Sequence, residues 1–256
     1  MIEIKSENEL KLISEAGKIV KLILGELKYA ARPGVTTADL GRKAAEIIKK
    51  SHARSAFLGY RGFPGVICTS LNEQVVHGIP GDIALSSGDI LSIDVGIEKN
   101  GYYADSALTI PVGDKVSQKA RSLIEVTEKA LYLGIEKAIE GNRLFDISNA
   151  IQKFAESHGY GVVRGFVGHG IGKNLHEDPE VPNFGNQGTG PRLKSGMVLA
   201  IEPMINEGGY EVEILSDGWT AVTKDRLLSA HFEHTVAVTE GEAKISPQTA
   251  QSNMAS

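Results

Sequence analysis

Apolar residues near the start of the chain recur at helical spacing. They are Leu10, Ile13, Ile19, Leu22, Ile23 and Leu27. Ser6 followed three residues later by Glu9 is a capping-box pattern, so we expect a helix to begin at Ser6. The sequence Arg32-Pro33-Gly34 ends it, and the same periodicity predicts a second helix over residues 37–50.

Runs of apolar and β-branched residues after these helices predict strands. A short strand is expected within residues 65–70, and longer ones over 89–98 and 102–111. Asn100-Gly101 joins the longer two and is a strong hairpin signal. With that turn Lys99 faces Tyr102 and Gly96 faces Asp105, so Asp94 and Asp105 are diagonal neighbours on one face of the sheet.

The second part of the chain repeats this plan. Helices are predicted over 117–141 and 146–158, and strands over 161–167, 196–205 and 231–239. Ser87-Gly88, an apolar strand and Asp94 align with Ser195-Gly196, an apolar strand and Glu202. We infer one α+β catalytic domain over residues 1–244, made of two pseudo-twofold-related halves at about 6–113 and 114–242. The polar segment 245–256 is expected to be a flexible tail.

Acidic residues interrupt three of the apolar strands. Asp94, Glu202 and Glu233 each stand in a run without Arg or Lys, and the hairpin register brings Asp105 beside Asp94. A buried, unpaired carboxylate is costly, so a shared cation explains all of them together. The alternative, four solvated carboxylates on exposed strand faces, fits the repeat-matched positions poorly.

The charge of this set predicts the number and kind of ions. Four carboxylates are balanced by two divalent cations, and His169 in Gly168-His169-Gly170 adds a neutral nitrogen. Carboxylates with one imidazole suit Mn, Fe, Co or Zn. Such two-metal sites belong to hydrolases that activate water.

Other chemistries find less support in the sequence. The glycine-rich segment around His169 lacks the pattern of a phosphate-binding loop, and there is no Gly-x-Ser-x-Gly nucleophile elbow. Cys68 is expected to pack rather than react. His52, His158 and His231 have no supporting context.

Composition and charge narrow the cellular setting. The chain has 256 residues, a net charge of -5 and a single cysteine. Without a basic block, neither nucleic acid nor an anionic membrane is an expected partner. No apolar run reaches the roughly 18 residues of a membrane helix, and the first residues do not resemble a signal peptide. We therefore expect a cytoplasmic protein, and a monomer.

Six motifs together make the chain resemble the type I methionine aminopeptidases from about residue 6 to 240. They are Asn72…His77-Gly-Ile-Pro, Ile93-Asp94-Val-Gly, Tyr103-Ala-Asp105-Ser, Gly168-His169-Gly-Ile-Gly172…His176-Glu-Asp-Pro179, Ile201-Glu202-Pro-Met and Phe232-Glu233-His-Thr. The resemblance implies the pita-bread fold, in which helices cover a central antiparallel sheet. It also implies that the chain removes the initiator methionine from nascent proteins, with the ribosome as a possible place of action, when the second residue is small.

The resemblance assigns a role to each motif. The implied ligands of two divalent ions are Asp94, Asp105, His169, Glu202 and Glu233. Asp105 and Glu233 would bridge the ions, and Glu202 would help to activate water. His77 and His176 would hold the scissile peptide and stabilise its oxyanion.

The resemblance also suggests a methionine pocket and a site for a monovalent cation. The pocket candidates are Tyr60, Phe63, Cys68, Leu175 and Trp219. Asn72 and Ser229 match the positions that bind a monovalent cation in relatives. The chain departs from the family at Arg61, where many members have His, and at Leu175, where Phe is usual.

Two alternative functions remain open at this stage. A prolidase-like peptidase acting next to proline would use the same five ligands, so only its substrate would differ. A non-catalytic pita-bread binding module is the other alternative, although such modules typically lose ligands that this chain retains.

Overall fold

The first half of the chain packs two helices against an antiparallel sheet. The computed structural model describes residues 1–246. Its first elements are α1 (Glu7–Ala30), α2 (Thr37–Lys50), β1 (Arg54–Ser55), β2 (Cys68–Leu71), β3 (Gln74–Val76), β4 (Ile90–Lys99) and β5 (Tyr102–Pro111). A 3₁₀ turn at Tyr60–Gly62 lies between β1 and β2. Strand β4 is central, with β1 and β2 on one edge and β5 on the other, and α1 packs on β4 and β5.

The second half repeats helices followed by strands. Its elements are α3 (Gln118–Ile135), α4 (Leu144–Ser157), β6 (Gly161–Val162), β7 (Gly168–Gly170), β8 (Glu177–Val181), β9 (Val198–Ile201), β10 (Met204–Asn206), β11 (Val212–Ile214), β12 (Ala221–Thr223), β13 (Ser229–His231), β14 (His234–Ala237) and β15 (Lys244–Ile245). Five of these strands form one antiparallel sheet in the order β15-β14-β9-β7-β8. Thus β7-β9-β14 repeats the arrangement of β2-β4-β5, and β9 corresponds to β4.

Each half has its own apolar core. The core of the first half is formed mainly by α1, α2 and the inner face of β4. That of the second half lies between α3, α4 and β9. Burial of these faces removes several dozen apolar side chains from water and is the main favourable contribution to folding.

The two halves meet where β5 passes the residue before β14. Ala107 and Glu233 exchange both of their backbone hydrogen bonds, at 3.3 and 2.9 Å. Two threonines close this junction symmetrically. The Thr235 hydroxyl accepts from the Asp105 amide and donates to its carbonyl, and the Thr109 hydroxyl does the same for His231.

Several predicted boundaries were wrong, while helices α1 and α2 were predicted correctly. The long strands expected over 196–205 and 231–239 are each broken, the first at Glu202-Pro203 and the second at Phe232-Glu233. Proline has no N–H to donate to a β-ladder, which accounts for the first break. The strand expected over 161–167 shrinks to β6, and α3 ends at Ile135 rather than near residue 141.

The predicted start of the tail also needs correction. Ile245 pairs with Val236 in β15, so ordered structure passes residue 244. Residues 247–256 lie outside the described residues. Within residues 1–246, no helix has the length and apolar character that a membrane crossing needs.

Candidate metal centre and active site

The β4–β5 hairpin places Asp94 and Asp105 as its register predicted. Lys99 pairs with Tyr102 and Gly96 with Asp105, and Asp94 pairs with Cys68 of β2 on its other side. Because side chains alternate along a strand, Asp94 and Gly96 share the face on which Asp105 lies. The first half of the chain therefore presents two carboxylates from adjacent strands.

The second half supplies the other acids at the points where its strands break. His169 lies in β7 beside Ala200 of β9, Glu202 directly follows β9, and Glu233 directly precedes β14. One ligand atom each from Asp105, His169 and Glu233 lies within 4.8 Å of the other two. The Glu202 carboxylate is 3.6 Å from His169 Nε2. The structure thus brings the predicted ligands of both halves together.

Buried carboxyl oxygens at this centre lack partners among the described residues. Asp94 Oδ1, Asp105 Oδ1 and Glu233 Oε1 accept no hydrogen bond. Burial raises the pKa of Glu202 to about 8 and that of Asp105 to about 6. Burial, together with the neighbouring Asp105, also raises the pKa of Asp94 and of Glu233 well above the usual range.

This electrostatic environment fits divalent cations. Oxygen atoms without hydrogen-bond donors are available as ligands, and raised carboxyl pKa values show that the protein alone stabilises the four negative charges poorly. Cations bound by the carboxylates would stabilise their negative charges and lower the carboxyl pKa values again. The oxygen-rich donor set with one imidazole is the type that binds Mn, Fe, Co or Zn.

His77 and His176 lie beside the acidic cluster. The ring of His176 is 4.1 Å from that of His169 and stacks on Tyr60 at 5.2 Å. Burial lowers the pKa of His77 to about 4, and burial together with His169 lowers that of His176 to about 3. Both imidazoles are therefore neutral near pH 7 and each can donate one hydrogen bond.

A buried ion pair holds the segment that carries His176. The side chain of Lys5 is 2% exposed, and its Nζ lies 2.6 Å from Glu177 Oε2. The other carboxylate oxygen of Glu177 accepts from the backbone amide of Asn174. Both oxygens of the Glu177 carboxylate are therefore engaged, one by Lys5 and one by the backbone of the loop before His176.

One cavity gathers the predicted active-site residues. It has a volume of about 160 Å³ and is lined by Phe57, Tyr60, Arg61, Phe63, Cys68, His77, Asp94, Asp105, His169, Leu175, His176, Glu202, Trp219 and Glu233. The five metal-ligand candidates, the two histidines and the five pocket candidates are all in this set. On the apolar side, Phe63 and Trp219 meet edge to face with ring centroids 5.2 Å apart.

Asn72 and Ser229 lie outside the cavity but next to each other. The Asn72 carbonyl accepts from the Ser229 amide at 3.0 Å. The Asn72 side chain contacts Asp89, and the Ser229 hydroxyl donates to Asn206 Oδ1 at 2.9 Å. Their role as a cation site stays a prediction.

The structure adds two residues that the sequence did not single out. Phe57 completes the apolar wall of the cavity. His231 is 2% exposed, and its Nε2 lies 3.7 Å from Glu202 Oε2. A sequence signal did exist, because Asp105 and His231 each precede by four residues a threonine, Thr109 and Thr235.

Comparison with known proteins places the chain among peptidases. The model of Metallopeptidase family M24 matches residues 11–240. A methionine aminopeptidase from Clostridium perfringens is 55% identical over 238 residues, which cover 93% of this chain and 95% of that protein. The crystal structure of a methionine aminopeptidase from Thermotoga maritima matches with a TM-score of 0.95 and 44% identity, covering 97% of this chain and 100% of that one.

More distant structures share the fold alone. The prolidase from Pyrococcus horikoshii superposes with a TM-score of 0.78 at 23% identity, covering 97% of this chain and 64% of the prolidase. The predicted fold class, a pita-bread fold of two related α+β halves, is confirmed by these neighbours.

Proposed function

The chain belongs to metallopeptidase family M24, and from that premise we propose that the cavity removes the initiator methionine from proteins whose second residue is small. The predicted activity itself, methionine aminopeptidase, is confirmed by relatives of that name. The observation that carries the proposal is the cavity, which joins His169 and a cluster of four acids, two of them buried and two partly buried, to an apolar pocket.

The acidic end of the cavity is the reaction centre in this proposal. Asp94, Asp105, His169, Glu202 and Glu233 would hold two divalent ions of Co, Mn, Fe or Zn. Bound there, the ions would polarise the scissile carbonyl and lower the pKa of water to roughly 7.

Protein side chains perform the proton transfer and bind the developing charge. Glu202, which lies beside His169 at the acidic end of the cavity, would accept a proton from the attacking water and then return it to the leaving amine. The neutral imidazoles of His77 and His176 donate hydrogen bonds to the peptide carbonyl and to the oxyanion that forms from it.

The apolar end of the cavity selects the methionine side chain. Tyr60, Phe63, Cys68, Leu175 and Trp219 line it, and such a wall suits an unbranched thioether. The small volume of the cavity supports a limit on the size of the residue that follows methionine. A prolidase-like activity, by contrast, rests on a shared fold only.

The setting of the reaction follows from the substrate. Initiator methionine is carried by nascent chains, so we place the enzyme in the cytoplasm, at or near the ribosome. We further propose that it acts as a monomer. The proposal also includes a monovalent cation beside Asn72 and Ser229. It would hold together the backbone segments at the start of β3 and of β13.

Peptide cleavage tests this function directly. The Mn²⁺- or Co²⁺-loaded chain should release methionine from Met-Ala-Ser and leave Met-Ile-Ser intact, because a cavity of about 160 Å³ that holds the methionine side chain leaves little room for a bulky second residue. Ala-Ala-Ser controls for the methionine pocket, and an Ala-Pro dipeptide controls for prolidase activity. Equal cleavage of the two methionine peptides, or release only from Ala-Pro, would contradict the proposal.

A further inference from the structure

His231 is held in place at the junction of the two halves. The Thr109 hydroxyl accepts from its backbone amide and donates to its carbonyl, both at 2.8 Å. The Ser92 hydroxyl lies 2.8 Å from the same Thr109 oxygen, so the Thr109 hydroxyl contacts a side chain as well as the backbone of His231. The backbone of His231 is therefore fixed on both of its polar groups.

The internal symmetry relates the position of His231 to that of Asp105. Thr235 binds the backbone of Asp105 in the same two-bond manner, at 2.9 and 2.8 Å. His231 in the second half thus occupies the place that the ligand candidate Asp105 occupies in the first half. Asp94 and Glu202 are related by the same repeat, so both members of each pair lie at the metal centre.

The side chain of His231 points at the acidic cluster without a partner. It is 2% exposed, and its Nε2 makes no hydrogen bond within the described residues. Glu202 Oε2 lies 3.7 Å from this nitrogen. A buried imidazole nitrogen without a partner is unfavourable, and a neutral imidazole has one N–H that it can donate.

We propose that His231 is a positioning residue of the centre. In the metal-bound state its Nε2 closes the 3.7 Å separation from Glu202 Oε2, donates a hydrogen bond to that oxygen and so orients the Glu202 carboxylate. The inference rests on the proposed role of Glu202. With Oε2 held by His231, Oε1 stays turned toward His169, from which it is 3.6 Å away. Partners that orient a ligand in this way typically contribute 10- to 100-fold to metal affinity.

Metal titration of the full-length chain tests the coupling between the two residues. By calorimetry with Mn²⁺, His231→Leu should weaken binding about 10- to 100-fold. His231→Gln, whose amide can still donate, should recover most of that loss. In a Glu202→Ala background, His231→Leu should change the affinity by less than about twofold, because no carboxylate remains to be oriented.

The same titration contains the results that would overturn the proposal. An equal loss from His231→Leu with and without Glu202 would mean that His231 binds the ion itself or acts through the fold. No loss in either background would mean that it orients nothing. If His231→Leu does not fold, the Gln variant and an Asn variant, whose shorter amide reaches less far toward Glu202, carry the comparison.

Kinetics give a second readout that a purely structural role would not produce. With metal saturating, His231→Leu should lower kcat for Met-Ala-Ser about tenfold or more while KM stays within about twofold. His231→Gln should restore kcat. Because calorimetry needs no peptide, a chain that shows the metal coupling but does not cleave methionine peptides would refute the proposed function and leave this inference standing.

Discussion

Glu202 has two proposed roles, as a cation ligand and as the group that transfers a proton. Replacing its carboxylate by an amide tests both roles without changing the size of the side chain. Glu202→Gln keeps the size of the side chain but removes its charge and its basicity. We expect turnover of Met-Ala-Ser to fall by roughly 10²–10⁴-fold, the range for loss of a general base.

The fold should survive that change. The pKa of Glu202 is raised to about 8 by burial, so the metal-free protein already tolerates a neutral group there. The thermal unfolding temperature of metal-free Glu202→Gln should be at or above that of the parent chain. Near-normal turnover in a metal-loaded sample would reject the role of Glu202.

Gly96 is a residue whose missing side chain shapes the centre. It pairs with Asp105, and a Cβ atom there would lie 2.6 Å from the Phe57 ring and 3.0 Å from Ala56. We expect Gly96→Ala to lower the free energy of unfolding by about 1–3 kcal/mol and to displace Asp105, which reduces activity.

A matched control lies in helix α1. A Cβ atom at Gly25 would meet nothing within 4 Å. Gly25→Ala should therefore raise the free energy of unfolding by about 0.5–1 kcal/mol with normal activity. Urea unfolding of both variants checks the pair, and a similar effect of the two substitutions would contradict the close approach at Gly96.

The metal-ligand candidates were readable from sequence because carboxylates inside apolar strands are anomalous. His231 is harder to recognise, since one imidazole in a partly apolar segment is ordinary and its only signal is the threonine four residues later, Thr235. Its proximity to Glu202 depends on the way β5 and β14 meet, a contact between residues more than a hundred positions apart.

At the scale of elements, α2 carries a pH-dependent cap. The Asp39 carboxylate accepts from the Thr36 side chain and backbone, which lowers its pKa to about 2 from 3.8. A depressed pKa stabilises the fold above the unfolded-state value and loses this effect as pH falls toward 2. Asp39→Asn should therefore be less stable than the parent chain at pH 7, and the difference should shrink by pH 3.

Urea midpoints at pH 7, 5 and 3 measure this change. Glu46→Gln, on the same helix and not part of the cap, serves as a control whose difference from the parent should stay nearly constant. A constant deficit of Asp39→Asn across the range would show that the charge of Asp39 does not support the helix.

Local signals predicted some elements well and others poorly. The Asn100-Gly101 turn fixed the register of β4 and β5, since a two-residue turn of this type allows few pairings. The continuous strand predicted across Pro203 was wrong, because proline has no N–H to donate to a β-ladder even where the apolar pattern continues. Glu202 and Glu233 lie in the breaks between β9 and β10 and between β13 and β14, so the alternation of side chains along a strand does not determine where they point.

At the scale of the whole molecule, the candidate ligands come from both halves. Asp94 and Asp105 belong to one sheet, and the other three to its counterpart. Ions bound between them should therefore link the two cores. A free metal concentration 100 times its Kd adds about 2.7 kcal/mol to stability, so chelation should lower Tm by roughly 5–11 °C.

Calorimetric unfolding with and without chelator measures this shift. Asp105→Ala, which removes one proposed bridging ligand, should lose most of the metal-dependent part of Tm. An unfolding temperature that is unaffected by chelator in the parent chain would contradict a centre shared by the halves. The two-half architecture itself was predictable from the repeat around Asp94 and Glu202, whereas the junction through Thr109 and Thr235 was not.

The junction also sets the order in which the enzyme can become active during its own synthesis. Synthesis runs from the N-terminus, so Asp94 and Asp105 are made while the partner half does not yet exist. Glu233, which joins the halves through Ala107, is added more than a hundred residues after Asp105. A chain that still lacks Glu233 therefore has carboxylates but not the proposed centre, and we expect it not to act on neighbouring nascent proteins.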